Sequence, residues 1–305
     1  MPLEIRPFQP NDEAPLRARF SGDTRPPWIR LPHPYTVGSL LSPREGLTVF
    51  VAASSRMNVL GLIAVDEAGD RPLLIGPLVS DEQLADLLAM ALLTHGLQWA
   101  ASIGFPGVRA KLDVDEDRGI GLFIGQGFQV QGLQEFVLSA VPKEGEPVQL
   151  PPGLTVGPCP DLVSSDYLRL VKEAGDGPGA KARMGWTRPE VFQHLQRTDT
   201  HMIAARHDDA FVGLIELAEK GDDEAELAFF GLVGAYRDDE IASAFVQHAL
   251  HHASRQLQLK RVWLTVSTDD ADEHVAPFLR WGFKRERAMV RLEKALVGSG
   301  VEAAK

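Results

Sequence analysis

From Leu3 to Phe8 apolar and polar residues alternate, the period of a strand with one buried face, and Asn11-Asp12 follows as a helix-start signal. Leu154-Thr155-Val156-Gly157-Pro158, followed by Asp161, repeats this arrangement 151 residues later. Residues 48–53 and 59–65 are two apolar runs of strand length on either side of a turn at 55–58, and residues 201–205 and 211–216 form a corresponding pair. Residues 227–233 are a further apolar run. A polar turn leads from it into residues 241–250, where Ile241, Ala244, Phe245, Ala249 and Leu250 share one face of a helix. Thr187-Arg188-Pro189-Glu190 reads as a capping box for a helix through Leu195, and residues 276–281 as a short helix with Gly282 in the C-cap role. Residues 16–42, Pro-rich and containing Arg25-Pro26-Pro27-Trp28, predict one or two short helices among irregular backbone.

These segments recur at a nearly constant spacing. Ala52-Ala53 recurs as Ala204-Ala205, Gly61-Leu62-Ile63 as Gly213-Leu214-Ile215, and residues 109–114 as 261–266, each 152 positions on; Gly127-Phe128 recurs as Gly282-Phe283 after 155. One offset kept across separate segments implies a duplicated domain. The length of 305 residues suits two domains. The expected boundaries are a first domain at 1–141, a linker at 142–153 rich in Pro, Gly and charge, a second domain at 154–297, and a tail at 298–305. Each copy orders its elements as strand, helices, hairpin, strand, helix, strand, helix, strand. That order combines an antiparallel meander with a strand–helix–strand crossover, so the fold class is α+β: a mixed, largely antiparallel sheet flanked by helices.

A net charge of −11 disfavours a nucleic-acid partner, which needs a basic footprint, and suits solubility and cationic substrates such as amines. No apolar run approaches the ~20 residues of a membrane span, so no membrane partner is expected. Cys159 is the only cysteine, which excludes an intrachain disulfide and, with an N-terminus lacking a signal-peptide pattern, suggests a cytoplasmic protein.

The stretch Val233-Gly234-Ala235-Tyr236-Arg237-Asp238-Asp239-Glu240-Ile241-Ala242-Ser243 resembles the acetyl-CoA loop of the GCN5-related N-acetyltransferase family. There a strand ends on an apolar residue and Arg/Gln-x-x-Gly-x-Gly/Ala opens a helix, whose bare amides and dipole attract an anion. Val233 matches the strand end, Arg237 the basic position, Ile241 the apolar one and Ala242 the last small one. The resemblance implies two tandem acyl-CoA N-acyltransferase-like domains, acetyl-CoA as cosubstrate, no metal, an amine acceptor that is a small molecule or a peptide, and a homodimer. It assigns Leu232, Val233, Arg237, Asp238, Asp239, Glu240, Ile241, Ala242 and Ser243 to the cofactor, because the pantetheine arm pairs with a splayed strand and the diphosphate sits on the helix start. Glu240 stands where the family has its central glycine, and Asp238 fills another position that is often glycine. A carboxylate ~4 Å from a phosphate at an effective dielectric of ~20 costs about 4 kcal/mol, but only about 0.5 kcal/mol at ~8 Å in water. Residues 76–85 occupy the same place in the first copy, with no basic residue, so the second copy is expected to be the active one.

Acetyl transfer needs a base for the amine and an acid for the leaving thiolate. The resemblance makes Glu226 the best-placed base, followed by Glu224 and Glu216. Phe278 and Phe123 stand where the family often has its acidic tyrosine, leaving Ser267 or water as the donor. Tyr236 in the loop reads as a packing residue. Trp28, Tyr35, Trp186 and Phe192 fall where the family lines its acceptor site, although core packing is the default for such residues. His248 and His252 have a zinc-compatible spacing, but no further ligand motif accompanies them. The alternative to an enzyme is a catalytically inactive chain of the same fold that binds a ligand or protein, suggested by Asp238, Glu240, Phe123 and Phe278.

Overall fold

A computed structural model describes residues 3–20, 29–55, 58–80, 84–142, 148–175, 177–220, 223–268 and 270–296. The tryptophan-bearing motif at 25–28, the turn at 56–57, residues 81–83 of the first-copy loop, residues 143–147 of the linker and the tail at 298–305 lie outside them. In chain order the elements are β1 (Glu4–Pro7), α1 (Glu13–Phe20), α2 (Val37–Leu41), β2 (Leu47–Ser55), β3 (Asn58–Asp66), β4 (Leu73–Val79), α3 (Ala85–Ile103), β5 (Gly107–Asp113), α4 (Asp117–Gly125) and β6 (Gln129–Ala140). They continue with β7 (Leu154–Pro158), α5 (Ser164–Ala174), α6 (Ala180–Arg183), α7 (Arg188–Leu195), β8 (Thr200–His207), β9 (Ala210–Glu219), β10 (Glu224–Leu232), α8 (Asp239–Arg255), β11 (Arg261–Thr268), α9 (Ala271–His274), α10 (Ala276–Arg280) and β12 (Lys284–Ala295). Helix α7 spans the segment read from its capping box, and the Glu190 carboxylate accepts from the Thr187 amide at 2.6 Å. Helix α5 starts three residues beyond the Asp161 signal, because Asp161 pairs with Arg206 instead of capping a helix.

The chain forms two compact units, residues 1–135 with 288–305, and residues 136–287. Unit 1 has the strand order β1-β2-β3-β4-β5-β12, and unit 2 the order β7-β8-β9-β10-β11-β6, so the repeat read from the sequence is a repeat of topology. In both units the first four strands pair antiparallel, and the fourth and fifth pair parallel across a helix, α3 or α8. These boundaries differ from 1–141 and 154–297, because each unit takes its sixth strand from the other half of the sequence. In unit 1, residues 289–295 of β12 run antiparallel to β5, from Met289 opposite Asp113 to Ala295 opposite Gly107.

Alternation along β3 shows how unit 1 buries both sheet faces. Ile63 and Val65 join Phe50, Leu92, Phe123, Phe128 and Leu292 on the α3 side, whereas Leu62 and Ala64 join Leu16, Leu40, Ile75 and Leu78 on the other. In unit 2, Tyr167, Leu170, Val191, Leu214 and Phe229 form the core under α5 and α7.

The recurrent Gly-Phe pairs are helix stops. Gly127 and Gly282 take φ +84° and +100°, which reverses the chain, and the Phe128 and Phe283 amides donate back to the carbonyls of Phe123 and Phe278 at 3.1 and 3.0 Å. Both phenylalanines are then buried against the residue five positions earlier, edge to face.

Candidate active site in the second unit

Strands β10 and β11 are paired only at Glu224–Arg261, Ala225–Val262 and Glu226–Trp263, and then part while each continues for several residues. The register of β10 on β9 shifts at Ala228, between Leu227 and Phe229. Unit 1 has the same fork: β4 and β5 pair only at Leu73–Arg109 and Leu74–Ala110. A fork leaves one strand edge without a sheet partner, and such an edge pairs with any extended chain that offers amides.

The Val233 amide donates to Val212 on β9 at 2.8 Å, so alternate residues Gly231 and Phe229 also face β9, while Phe230 and Leu232 face the fork. Both of the latter already have partners. The Phe230 amide donates to the Pro178 carbonyl at 3.2 Å, and the Leu232 carbonyl accepts from Arg237 Nε at 3.1 Å. The rest of the Arg237 guanidinium donates to the Glu173 carbonyl in the last turn of α5. Arg237 therefore ties the end of β10 to α5.

Helix α8 starts directly after the polar turn, as its apolar spacing requires. Asp238 is its N-cap: Oδ1 accepts from the Glu240 amide at 2.8 Å, the place an incoming anion would take. Asp239 accepts from Arg280 at 3.2 Å and from the Trp281 indole at 3.0 Å, and the Arg280 hydrogen bond holds its carboxyl below the ordinary range. Glu240 is exposed, Ile241 and Ser243 are half-buried, and Ala242 is buried. Phe278 packs edge to face on Phe230 at 6.0 Å and on Trp281 at 4.9 Å, so the position expected to hold an acidic hydroxyl holds an aromatic core.

Of the carboxylates read from the sequence, Glu226 stands at the vertex of the fork, partly exposed and 3.1 Å from Lys220. Glu224 is paired with Arg261. Ser267 is exposed near the end of β11. Tyr236 is a packing residue, as expected, with its hydroxyl 2.6 Å from His207 Nδ1.

Glu216 is the residue whose setting sequence reasoning missed. It is wholly buried on β9; Tyr167 donates to Oε1 at 2.5 Å, Arg183 to Oε2 at 2.6 Å, and His194 Nε2 lies 3.2 Å from Oε2. Arg183 also donates to the Tyr167 hydroxyl at 2.9 Å and to the Gly179 carbonyl at 2.9 Å, with its guanidinium against the rings of Trp186 and Phe229. Burial pushes the Glu216 carboxyl up, but the His194 hydrogen bond, the Arg183 charge and the Tyr167 hydroxyl outweigh it, and the net direction is down. A charged residue inside an otherwise apolar strand was the one available signal.

Phe192 lines a cavity of about 490 Å³ with Cys159, Thr200, His201, Met202 and His252, whereas Trp186 stacks on Tyr167. Burial pushes the Cys159 thiol up to about 12. Tyr35, in unit 1, donates to Asp66 at 2.5 Å. His248 Nε2 lies 2.7 Å from the Val148 carbonyl, and among the described residues no group of three or more His, Cys, Asp or Glu is placed to hold a metal ion. Nor, among them, is any helix long and apolar enough to cross a membrane.

A parallel pair forks, a helix begins where the fork opens, and the same arrangement occurs twice in one chain. Residues 172–283 match the model of the acetyltransferase (GNAT) family. The whole chain is similar to a GCN5-related N-acetyltransferase from Sphaerobacter thermophilus, with a TM-score of 0.72 at 15% identity over 98% of each chain. It is also similar to a tandem GNAT protein from the clavulanic acid biosynthesis pathway, with a TM-score of 0.68 at 14% identity over 98% of this chain and 100% of that one. An acetyltransferase from Colwellia psychrerythraea aligns at 0.59, with 16% identity over 95% and 99% of the two chains. No curated protein matches the sequence.

Proposed function

We propose that this chain is a cytoplasmic N-acetyltransferase that moves an acetyl group from acetyl-CoA to an amine, and that unit 2 carries the reaction. The observation that carries this reading is the β10–β11 fork with Glu226 at its vertex and α8 at its far end. In the reaction the amine nitrogen bonds to the acetyl carbon as the carbon–sulfur bond breaks. The amine proton passes to Glu226, directly or through water, and the thiolate takes a proton from Ser267 or solvent. As it stands, the helix start does not fit a diphosphate, because the Asp238 carboxylate holds the Glu240 amide. Rotation of that one side chain frees the amide.

The test is calorimetric titration of acetyl-CoA into the wild type and an Asp238→Asn variant. Asn caps a helix about as well as Asp, so thermal stability is expected to stay within ~0.5 kcal/mol. Removing the charge is expected to strengthen binding by an amount between the ~0.5 and ~4 kcal/mol limits for a carboxylate near a phosphate. No heat and no thermal shift at millimolar acetyl-CoA in either protein would defeat the reading. The second reading, a fold kept for binding without turnover, would then stand; the Asp238 cap is the observation that favours it.

A further inference from the structure

The edge that the fork exposes on β10 is covered by the chain itself. Pro178 presents its carbonyl to the Phe230 amide, in the position a neighbouring strand would take. On one side of it, Gly177 lies so close that a Cβ there would stand 2.6 Å from the Phe230 carbonyl oxygen. On the other, Gly179, at φ +74°, lies where a Cβ would collide with the Ala228 carbonyl. Only glycines at both positions permit this approach, and at Gly179 the backbone conformation requires one as well.

The loop is held down by a charged group that the mechanism does not use. One nitrogen of Arg183 grips the Gly179 carbonyl, while the others bind Glu216 and Tyr167, which are anchored in β9 and α5. Arg183 and Glu216 are both buried, so the grip is fixed from beneath. A guanidinium can serve three acceptors in one plane, which an ammonium cannot do with the same geometry.

We propose that residues 177–179, fastened by Arg183, form an autoinhibitory strap whose Pro178 carbonyl occupies the amide that an extended, amide-bearing arm of the coenzyme A type would use on entering the fork. This rests on the acetyl-CoA reading above, and the strap has to lift before such an arm binds. Arg183 is a positioning residue here, acting through the loop.

Two variants of the full chain test it: Gly179→Ala, which pushes the loop off β10, and Arg183→Lys, which keeps a cation opposite Glu216 but loosens the grip on Gly179. Hydrogen exchange is followed amide by amide by NMR, alongside thermal unfolding. The Phe230 amide is expected to exchange at least ~10-fold faster in both variants, while Val233, whose amide pairs with β9, keeps its wild-type rate. Unchanged Phe230 exchange overturns the strap, and so does an equal acceleration at Val233, which would mean general loosening. Acetyl-CoA titration then reads the competition. Affinity at least ~10-fold higher in Gly179→Ala supports it, whereas equal affinity in an opened variant overturns it. If neither protein binds acetyl-CoA while Phe230 opens selectively, the strap stands as a cover of the edge and the function assigned above falls.

Discussion

A polypeptide ending at residue 141 is expected not to fold, although it contains a full sequence repeat. It would lack residues 289–295, which pair with all seven residues of β5. Leu292 and Met289 in that strand are fully buried and contribute about 1.5–3 kcal/mol each by burial, and every ladder hydrogen bond adds about 0.5–1.5 kcal/mol. The sum rivals the ~5–15 kcal/mol net stability of a domain, and the bared β5 edge is an aggregation template. By the same reasoning residues 136–287 should fold alone, because they include residues 136–140 for β11, whereas residues 154–297 should not. Circular dichroism melts and amide spectra of the three fragments would decide. A cooperative transition in the 1–141 fragment, together with dispersed amide resonances, would refute the strand assignment.

Replacing Glu216 by Ala is expected to destabilise unit 2 by about 3–5 kcal/mol, since it leaves the Arg183 guanidinium buried without its counter-ion. For a unit of this size that corresponds to a fall in Tm of roughly 6–20 °C. The double replacement Glu216→Leu with Arg183→Met should recover much of the loss, because a buried ion pair exchanged for apolar residues of similar volume is often neutral. A double-mutant cycle by thermal denaturation measures the coupling, and additive losses would mean the pair does not act as a unit. The carboxyl is lower in the folded chain than in the unfolded one. Its contribution is therefore complete above the ordinary Glu value of ~4.3 and is lost only as pH falls through the lower folded value.

Much of this architecture was legible because local patterns agreed with the tertiary fold. The Gly-Phe pairs, the Thr187–Glu190 box and the apolar faces of β3 and α8 each act within a few residues, so their spacing carries their structure. The apolar–Gly–apolar hairpins also had a local reason: a Cβ at Gly61 or Gly213 would meet Leu78 O or the Leu232 side chain at 2.6 Å. The allocation of the sixth strands was not legible. β6 and β12 each end their own copy in sequence, and the partners they pair with lie remote in the chain, where local spacing carries no signal. At the candidate site, sequence predicted the start of α8 and offered Glu226 as a candidate base. It could not show that Asp238 folds back onto the Glu240 amide, or that Arg237 turns to backbone carbonyls, because side-chain direction is set by neighbours remote in sequence. Glu216 was underrated for the same reason: its three partners come from α5, α6 and α7.

The Trp281 indole, almost fully buried, donates to Asp239 at the first turn of α8. One of the chain's five tryptophans is thereby wired to the mouth of the fork. Any anion that takes Arg280 from Asp239 and displaces that carboxylate should alter the indole's emission, giving the protein an intrinsic optical gauge of occupancy that needs neither label nor turnover.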